Sequence, residues 1–337
     1  MRILFCLGTR PEWLKIKPLL KLLNKSEYDL LFTGQHENLL NDIDFDYKIR
    51  MTDNVNRLDD IIVNCISNFP NTDYDYVLVQ GDTGSALGCA LAAYNRKIKL
   101  IHLEAGLRTY DLENPYPEEA YRQIISRISS INFCPTTLSY ENLLKEKVLG
   151  KVFVVGNTVL DNLIELKDRS KYGNDVLITL HRRENHEIMD EWFNSVNDVA
   201  KKYKELNFIL PIHPNPNVQK HKHLLSQNIN VVDPLNHNDL LEILINCQFV
   251  ITDSGGIQEE ATFFNKKSIV CRKTTERPEG IDTGHIILCH KPDDLISKVD
   301  NIIENYNINT ECPYGDGYSS EKILKILKNG NSYFKRI

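Results

Sequence analysis

The sequence predicts an α/β protein that contains two parallel β-sheets, each covered by helices on both faces. Short apolar runs of the β type alternate with stretches of helical periodicity along almost all of the 337 residues. Polar segments that contain glycine follow several of these runs directly, at residues 8–11, 81–84 and 253–256. Repeated strand–helix units form parallel sheets, which bind ligands at the carboxyl ends of their strands. We therefore expect the functional residues in these segments.

The first half of the chain contains six predicted strands. The first strand, at residues 2–7, precedes a helix that Thr9 is suited to cap and that has Pro11 at its first position, where proline costs little. Pro18 is expected to kink this helix. Further strands are predicted at residues 28–33, 76–80, 100–103, 131–134 and 152–155, and further helices at residues 58–69 and 85–94.

After residue 156 the same alternation begins again, which predicts a second domain. We place the boundary within residues 157–172 and expect two doubly wound domains, at residues 1–160 and 161–317. The polar segment at residues 37–56 shows no pattern that predicts a structure. In the second half, strands are predicted at residues 176–179, 208–211, 249–252, 268–271 and 286–289, and helices at residues 188–205, at residues 238–246 and from residue 257.

Composition excludes several classes of protein. The formal net charge of −6 argues against a general nucleic-acid binder, which needs a basic surface. No apolar run approaches the roughly 20 residues that span a bilayer, and the apolar run near the N-terminus is too short for a signal peptide. The eight cysteines form no CxxC pair and no cluster suited to zinc. We therefore expect reduced thiols, no metal site, no membrane contact and a cytoplasmic location.

The segment DSGGIQEEA, residues 253–261, predicts an anion site. Ser254, Gly255 and Gly256 lie between a predicted strand and the start of a helix, where backbone N–H groups and the helix dipole attract negative charge. Glu260 lies about one turn into that helix and is placed to reach a pair of ribose hydroxyls. The structural alternative is an ordinary strand–helix turn with a capping serine.

Other cationic residues also follow predicted strands. Arg10 and Lys15 lie near a helix start and suit a diphosphate, unless that end is simply solvated. His181, in HRREN, is placed to transfer a proton or to donate to a phosphate, although a surface charge cluster fits equally. His213 is more typical of a structural histidine. Arg272 precedes TTERPEG, whose chemistry the residues alone do not define.

Carboxylates also gather at predicted strand ends. Asp82 and Glu104 each follow a strand, and a proline-bracketed loop is placed to fold Glu118 back over them. Carboxylates that share a pocket repel one another, which separates their pKa values and provides an acid and a base together. Arg108 and Arg122 are expected to stabilise such a cluster. A structural ion-pair network is the alternative.

Taken together, these motifs resemble one family, the non-hydrolysing UDP-N-acetylglucosamine 2-epimerases. The resemblance covers residues 1 to about 328, and it is specific for the set of motifs rather than for any one of them. It implies the GT-B architecture, with two Rossmann-like domains facing an interdomain cleft, a final helix at residues 318–337 that crosses back to the N-terminal domain, and a homodimer. The motifs, in order, are GTRPE, TGQH, GDT, HLEAGLRT, PYPEEAYR, GNTVLDNL, HRREN, HPNP, DSGGIQEEA, TERPEG and YGDG.

The resemblance also implies roles for individual residues and no cofactor. Tyr121 and Lys273 depart from the family's usual Asn and acidic residue, and the arginine-containing run that follows TGQH in members with an allosteric UDP-GlcNAc is missing. Lys15, Asp82, Glu104, Glu118, Arg122 and His181 match active-site positions, whereas Arg10, His213, Ser254, Gly255, Gly256, Glu260 and Arg272 are assigned to UDP.

The implied reaction is reversible C2 epimerisation of a UDP-2-acetamido sugar, UDP-GlcNAc to UDP-ManNAc, through elimination of UDP to 2-acetamidoglucal and re-addition. Asp82, Glu104 and Glu118 would move protons, while Arg10, His181 and Ser254 would stabilise the departing UDP. Four alternatives stay open. These are a 2-epimerase of a 6-deoxy UDP-2-acetamido-L-sugar (such as UDP-L-QuiNAc to UDP-L-RhaNAc, or the L-FucNAc precursor), a hydrolysing epimerase, a GT-B glycosyltransferase and a non-catalytic nucleotide-sugar binder.

Overall fold

The computed structural model describes residues 1–35, 43–49, 57–308 and 310–333. The last residue of TGQH and most of the unpatterned segment at residues 37–56 lie outside these ranges. The chain divides into two compact units. Unit 1 contains Met1–Asn162 and Tyr314–Ile337, and unit 2 contains Leu163–Pro313. The domain ranges given above are functional assignments and stay predictions.

Unit 1 contains a seven-stranded sheet in which every pair of neighbours is parallel, in the order β3-β2-β1-β4-β5-β6-β7. Its strands are β1 (Ile3–Leu7), β2 (Tyr28–Phe32), β3 (Tyr47–Lys48), β4 (Tyr76–Gln80), β5 (Lys99–Leu103), β6 (Ile131–Cys134) and β7 (Lys151–Val154). Its first five helices are α1 (Arg10–Leu20), α2 (Arg57–Ser67), α3 (Gly84–Asn95), α4 (Glu118–Ile128) and α5 (Thr137–Lys145).

Strand β1 shows why the inner strands of unit 1 read as continuous apolar runs. All five of its residues are buried, because helices cover both faces of the sheet. Successive side chains of a strand point to opposite faces. Accordingly, Phe5 and Leu7 pack in one apolar cluster, with α1, and Leu4 and Cys6 pack in another, with α2 and α3.

Unit 2 contains a six-stranded parallel sheet in the order β10-β9-β8-β11-β12-β13, with Trp192, Phe208 and Phe249 in its apolar core. Its strands are β8 (Asp175–Thr179), β9 (Asn207–Pro211), β10 (Ile229–Val232), β11 (Cys247–Thr252), β12 (Lys267–Val270) and β13 (Ile286–Leu288). Its helices are α6 (Met189–Lys202), α7 (Pro216–Gln219), α8 (His237–Asn246), α9 (Gly255–Phe263), α10 (Glu279–Asp282) and α11 (Leu295–Glu304).

Strand order reverses at one place in each sheet. Strand β1 lies between β2 and β4, and β8 lies between β9 and β11. At such a point the loops that follow the two inner strands diverge to opposite faces and leave a crevice for a ligand. Segments predicted to be functional follow β1 and β4 in unit 1 and β8 and β11 in unit 2, and further ones follow β5, β9 and β12.

The last helix, α12 (Ser319–Tyr333), belongs to unit 1. Asp161, from the GNTVLDNL motif, accepts hydrogen bonds from the backbone N–H of Ser319 at 3.0 Å and of Ser320 at 2.6 Å, and so caps the helix. Gly315, from YGDG, has a φ of 128°, and a Cβ there would lie 3.1 Å from the Cα of Gly156. These two motifs therefore have a structural role, since they fasten α12 to its unit.

Several local predictions need correction. The helix predicted at residues 188–205 is present as α6, with the shorter bounds Met189–Lys202, and a 3₁₀ turn, Arg183–Ile188, precedes it. Strands β3 and β10 and helices α4, α5, α7, α10 and α11 were not predicted. Pro18 lies inside α1, which ends two residues later. Among the residues described, no helix combines the length and the apolarity of a membrane-spanning segment. Seven of the eight cysteines are buried, and Cys312 is partly exposed.

Candidate active site

The loop after β1 is held by Glu12, a buried residue of the GTRPE motif. Its Oε2 accepts hydrogen bonds at 2.7 Å from the backbone N–H groups of Gly8 and Thr9, and its Oε1 accepts one at 2.6 Å from Thr83 in the loop after β4. Burial raises the pKa of Glu12. Sequence reasoning missed this residue, although the spacing of Thr9 and Glu12 is that of a capping box. The loop that leads to Arg10, the first and partly buried residue of α1, is therefore tied to its neighbour.

Glu104 follows β5 and lies in contact with Lys15. The Lys15 Nζ lies 2.5 Å and 2.6 Å from the two carboxylate oxygens, and the Gln80 amide donates to Oε2. The backbone of Glu104 is left-handed, with a φ of 65°, a conformation that costs a non-glycine residue about 1–3 kcal/mol and that concentrates at functional sites. Two residues that the sequence assigned to one active site thus form a single ion pair.

Asp82 follows β4, the neighbour of β5, and forms an ion pair with Arg122. The Arg122 guanidinium donates to Asp82 Oδ2 from Nε at 3.0 Å and from Nη2 at 2.5 Å. Gln80 pairs with Leu103 in the sheet, so the loops that follow these two strands lie side by side. A Cβ on Gly81 would lie only 3.6 Å from the Glu104 Oε2. The structure therefore brings the two predicted carboxylates to one edge of the sheet.

His102 supports this edge from the core. Its Nε2 lies 2.8 Å from the Gly81 carbonyl oxygen and its Nδ1 lies 3.1 Å from the Ser126 Oγ. Burial lowers the pKa of His102 to about 4, so the ring is neutral at pH 7 and its Nε2–H donates to the carbonyl. No sequence pattern indicates this role, because His102 lies within an apolar strand and its partners are distant in the chain.

Glu118 is the first residue of α4, not part of a loop as the sequence suggested. It lies four residues before Arg122 and therefore on the same face of α4. Glu119, which sequence reasoning passed over, is completely buried, and it accepts hydrogen bonds from the backbone N–H groups of Thr109 and Tyr110 at 3.0 Å and 3.2 Å. Glu119 anchors the loop between Glu104 and α4, and the role of Glu118 in the site stays a prediction.

Arg108 does not have the predicted role beside the carboxylates. Its Nε and Nη2 donate to the two carboxylate oxygens of Glu146 at 2.7 Å and 3.0 Å. The prediction failed because the partner comes 38 residues later in the chain, at the end of α5. Arg122 alone of the two arginines contacts the carboxylates of the site.

In unit 2, Asp253 organises the edge between β8 and β11. Its fully buried carboxylate accepts hydrogen bonds from the backbone N–H of His181 at 2.9 Å, from the backbone N–H of Arg182 at 2.8 Å and from the Asn185 amide at 3.0 Å. Trp192 Nε1 donates to the side-chain oxygen Oδ1 of Asn185 at 3.1 Å. The first residue of DSGG thus fixes the loop HRREN, a role that the sequence did not reveal.

His181 and His213 form a stacked pair. Their ring centroids are 4.8 Å apart and the ring planes differ by 20°. Burial lowers the pKa of both rings, and the neighbouring His181 further lowers the pKa of His213. The backbone N–H of Asn215 donates to the His213 Nδ1 at 3.1 Å, which places the proton of that neutral ring on Nε2. The structure therefore gives His213 a place beside His181.

The turn at Ser254, Gly255 and Gly256 begins α9. Ser254 is the N-cap residue, but its side chain makes no capping hydrogen bond. A Cβ on Gly255 would lie 2.8 Å from the Arg277 Nη1, whereas a Cβ on Gly256 would have no atom within 4 Å. Backbone N–H groups at a helix N-terminus face an anion with the positive end of the helix dipole. The open space in front of Gly256 suits a phosphate.

Buried ion pairs support this turn. Arg277 donates from Nε to Glu259 at 2.6 Å and also pairs with Glu276. Arg272 donates to Glu184 at 2.6 Å and to Glu276 at 2.9 Å. The guanidinium of Arg272, which the sequence assigned to UDP, is thus held between two carboxylates in this structure. Arg277, in TERPEG, was not singled out by the sequence.

Glu260 lies in the second turn of α9 and is almost completely buried. The His237 Nε2 lies 2.9 Å from its Oε1. Within the described ranges, no group of three or more His, Cys, Asp or Glu side chains is arranged to hold a metal ion. Each unit thus carries its own set of predicted residues, carboxylates and cations in unit 1 and anion-facing groups in unit 2.

Two Rossmann-like units with these residues at their strand ends define a nucleotide-binding α/β protein of the GT-B class. A family model described as UDP-N-acetylglucosamine 2-epimerase matches residues 20–328. The UDP-N-acetylglucosamine 2-epimerase of Campylobacter jejuni is 36% identical over a gapped alignment of 378 positions, which covers 98% of each chain. The chain therefore belongs to the UDP-N-acetylglucosamine 2-epimerase family, and it is an isomerase, a nucleotide-sugar 2-epimerase.

Solved structures support the same fold. The crystal structure of UDP-GlcNAc 2-epimerase from Neisseria meningitidis, bound to UDP-GlcNAc, matches with a TM-score of 0.89 and 36% identity, over 98% of this chain and 100% of that one. The Methanocaldococcus jannaschii UDP-GlcNAc 2-epimerase, in complex with UDP-GlcNAc and UDP, matches with a TM-score of 0.85 and 29% identity, over 98% and 100%. The predictions of family, fold class and enzyme class are confirmed.

Proposed function

We propose that the chain interconverts UDP-GlcNAc and UDP-ManNAc at C2, by elimination of UDP to 2-acetamidoglucal and re-addition. The observation that carries this proposal is the set of carboxylates at the edge of β4 and β5, with Glu104 held by Lys15 and Asp82 held by Arg122. The substrates named for the Neisseria and Methanocaldococcus relatives support the choice of sugar.

The chemistry of C2 explains why UDP has to leave. The C2 hydrogen lies beside an amide nitrogen rather than a carbonyl, so a carboxylate alone does not remove it. When the bond between C1 and the β-phosphate oxygen breaks, its electron pair leaves with UDP, and C1 gains oxocarbenium character. The C2 proton then passes to a base, and its bonding electrons form the C1–C2 double bond of 2-acetamidoglucal. Protonation from the opposite face and return of UDP give the epimer.

Unit 1 supplies the proton-transfer groups in this proposal. Glu104, Asp82 and Glu118 act as acid and base at C2. Lys15 and Arg122 orient two of these carboxylates, because each forms short hydrogen bonds to one of them. Inversion at C2 requires groups on both faces of the sugar ring, and the three carboxylates belong to three different elements, the loops after β4 and β5 and the start of α4.

Unit 2 supplies groups for the departing UDP. The backbone N–H groups of the turn at Ser254 and Gly256 donate hydrogen bonds to the β-phosphate and so stabilise the negative charge that develops on it. The lowered pKa of His181 leaves its ring neutral, so it donates one hydrogen bond without a full charge. Arg10, on α1, His213 and Arg272 are assigned to UDP in this proposal, and Glu260 is assigned to the ribose. No cofactor takes part in this scheme.

Incubation of the enzyme with UDP-GlcNAc in D₂O, without any acceptor, tests the proposal. We expect deuterium at C2 of the recovered UDP-GlcNAc and of newly formed UDP-ManNAc, observed by NMR and mass spectrometry. A hydrolysing epimerase would release free N-acetylmannosamine, and a glycosyltransferase or a binding protein would leave C2 undeuterated. Either result would overturn the proposal.

A 6-deoxy UDP-2-acetamido-L-sugar is the alternative substrate, since the same steps apply to it. Parallel assays with both sugars separate the two substrates. We expect the larger kcat/KM for UDP-GlcNAc, and a much larger value for the L-sugar would transfer the same mechanism to that substrate. The homodimer is a further proposal, which rests on the resemblance alone and which size-exclusion chromatography with light scattering tests.

A further inference from the structure

The Glu260 carboxylate has a protein partner that the reaction scheme does not use. The His237 Nε2 lies 2.9 Å from Oε1, and the side chains of His237 and Glu260 are 16% and 5% exposed. A buried carboxylate is costly unless it is hydrogen-bonded. His237 therefore provides the buried Glu260 carboxylate with a hydrogen bond in place of those that solvent would make.

The side chains that precede Glu260 on α9 are committed elsewhere. The Thr275 hydroxyl donates to the Gln258 Oε1 at 3.0 Å, and Arg277 donates to Glu259 at 2.6 Å. Both contacts join α9 to the TERPEG segment. They fix the rotation of the helix and thereby the direction in which Glu260 leaves it.

The position of His237 is also fixed by its own helix. It is the first residue of α8, whose N-cap is Asn236. The backbone N–H of Asp239 donates to the Asn236 side chain at 3.0 Å, which is the usual cap geometry. The imidazole thus projects from a capped helix start, and it reaches Glu260 over 23 residues of sequence.

The contact uses only one of the two carboxylate oxygens. No residue of the described ranges hydrogen-bonds the Glu260 Oε2. An ionised carboxylate only accepts hydrogen bonds, whereas the 2′- and 3′-hydroxyls of a ribose donate them. Oε2 is therefore the atom suited to the ribose, and the bond to His237 determines which way it points.

We propose that His237 is a positioning residue for nucleotide recognition, which donates from Nε2 to Glu260 Oε1 and so directs Oε2 at the ribose hydroxyls. This inference rests on the proposed function, which assigns Glu260 to the ribose. His237 itself does not touch the sugar chemistry at C2. Its contribution is selectivity for a ribonucleoside diphosphate over a nucleotide that lacks the hydroxyls.

Calorimetry with two nucleotides tests the role of His237 in the full chain. Wild-type protein, His237→Phe and His237→Gln are titrated with UDP and with 2′,3′-dideoxyuridine 5′-diphosphate. Phenylalanine keeps a ring of similar size and removes the donor, whereas glutamine restores an N–H donor. Thermal unfolding without nucleotide shows whether each variant is folded.

We expect wild-type protein to bind UDP about ten- to a hundredfold more tightly than the dideoxy nucleotide, since one hydrogen bond to a charged group is at stake. In His237→Phe this ratio falls to a few-fold through weaker UDP binding, with dideoxy affinity unchanged. His237→Gln recovers part of the ratio. A purely structural role would weaken both nucleotides equally and leave the ratio intact.

An unchanged ratio in His237→Phe would overturn the inference and leave the proposed function in place. Equal affinities of the wild-type protein for the two nucleotides would remove the ribose role of Glu260, and this inference with it. Failure of the proposed function is read separately, as absence of deuterium exchange at C2. The two failures are therefore distinguishable.

Discussion

The two sheet edges share one topology and carry different chemistry. In unit 1 the edge comprises the ends of β1, β4 and β5, and in unit 2 it comprises the ends of β8, β9 and β11; the strand order reverses at β1 and at β8. In each, a buried carboxylate accepts backbone hydrogen bonds and fixes the loop after the first strand of the unit, Glu12 in unit 1 and Asp253 in unit 2. The scaffold of the edge is thus the same.

The difference lies in what each scaffold presents. The edge of unit 1 holds Glu104 and Asp82 against Lys15 and Arg122. The edge of unit 2 presents the open helix start at Gly256 and two neutral histidine rings. In the proposed function, one type of strand end therefore serves proton transfer in one unit and anion binding in the other, according to the side chains that follow the strands.

The largest effect is expected for Glu104→Gln, which removes the carboxylate of the proton-transfer edge and keeps its size. A positioned acid or base contributes about 10²- to 10⁴-fold to rate. We expect deuterium exchange at C2 to fall by at least that range while UDP binding, measured by calorimetry, changes little. Retained exchange would contradict the assignment of proton transfer to unit 1.

Glu113→Gln is the matched control for this substitution. Glu113 lies in the loop between Glu104 and α4, is exposed, and loses the same charge when replaced. We expect full exchange activity in this variant. A loss as large as that of Glu104→Gln would mean that charge in this loop, rather than one positioned carboxylate, supports the reaction.

Asp253→Asn tests whether the edge of unit 2 depends on its buried carboxylate. The amide group would face three N–H donors, and each lost hydrogen bond to a charged acceptor costs about 1.5–3 kcal/mol. The chain contains two tryptophans, Trp13 and Trp192, so fluorescence of a Trp13→Phe background reports unit 2. We expect the free energy of unfolding in urea to fall by about 3 kcal/mol in Asp253→Asn. An unchanged free energy would contradict this structural role of Asp253.

Asp198→Asn is the control in the same background. Asp198 lies on the exposed surface of α6, the helix of Trp192, where it pairs with Lys201. An exposed pair of this kind contributes about 0–1 kcal/mol. A shift as large as that of Asp253→Asn would show that loss of any acidic residue destabilises unit 2.

The next largest effect is the loss of stability at acidic pH. The pKa of His102 lies at about 4 in the folded chain, below its ordinary value of 6.5, because burial disfavours the charged ring. Unfolding below pH 6.5 lets the ring take up a proton, so this contribution is fully present above pH 6.5 and is lost as pH falls toward 4. At about 1.4 kcal/mol per pKa unit, it amounts to roughly 3 kcal/mol.

We therefore expect the free energy of unfolding, measured with urea by circular dichroism, to fall less between pH 7 and pH 5 in His102→Gln than in the wild type. Comparison of two pH values within each protein cancels the fixed cost of the substitution. His285 in unit 2, whose pKa burial also lowers to about 4, contributes equally to both proteins. Identical pH dependence in the two proteins would contradict the role of His102.

The smallest effects are expected for substitution of Gly255 and Gly256, the two glycines of the turn that begins α9, which should differ in their effects on stability and on UDP binding. A methyl group at Gly256 meets no atom within 4 Å, so Gly256→Ala should keep stability and weaken UDP binding about tenfold by filling the space in front of the helix start. In Gly255→Ala the methyl group meets Arg277 at 2.8 Å, which should cost about 1–3 kcal/mol of stability. Unchanged UDP affinity in Gly256→Ala would remove the anion site.

Much of the fold followed from the sequence because parallel strands are buried on both faces. The run Tyr76–Gln80 is buried throughout, is apolar up to its last residue and is followed by glycine, so the position of this strand was predictable. Helix α4 was missed, because Glu118, Glu119 and Arg122 read as a charged loop. Their helical role depends on partners that the local pattern does not show.

The site was predictable in position and less so in its contacts. Asp82, Glu104 and Ser254 follow strands, and the tendency of parallel sheets to bind ligands at the carboxyl ends of their strands is enough to select them. The partners of Arg108 and Glu260 lie 38 and 23 residues away in sequence, and only the fold brings them together. Glu12 is the exception, since its capping-box spacing was present in the sequence and was overlooked.

Reversible cleavage of the bond between C1 and the β-phosphate oxygen is tested most directly by positional isotope exchange. UDP-GlcNAc with oxygen-18 in that bridging position is incubated with the enzyme, and the recovered nucleotide sugars are analysed by ³¹P NMR. If UDP leaves and returns, its β-phosphate rotates while free, and we expect the label to spread to non-bridging oxygens as fast as UDP-ManNAc forms. Formation of UDP-ManNAc with all of the label still in the bridge would contradict elimination.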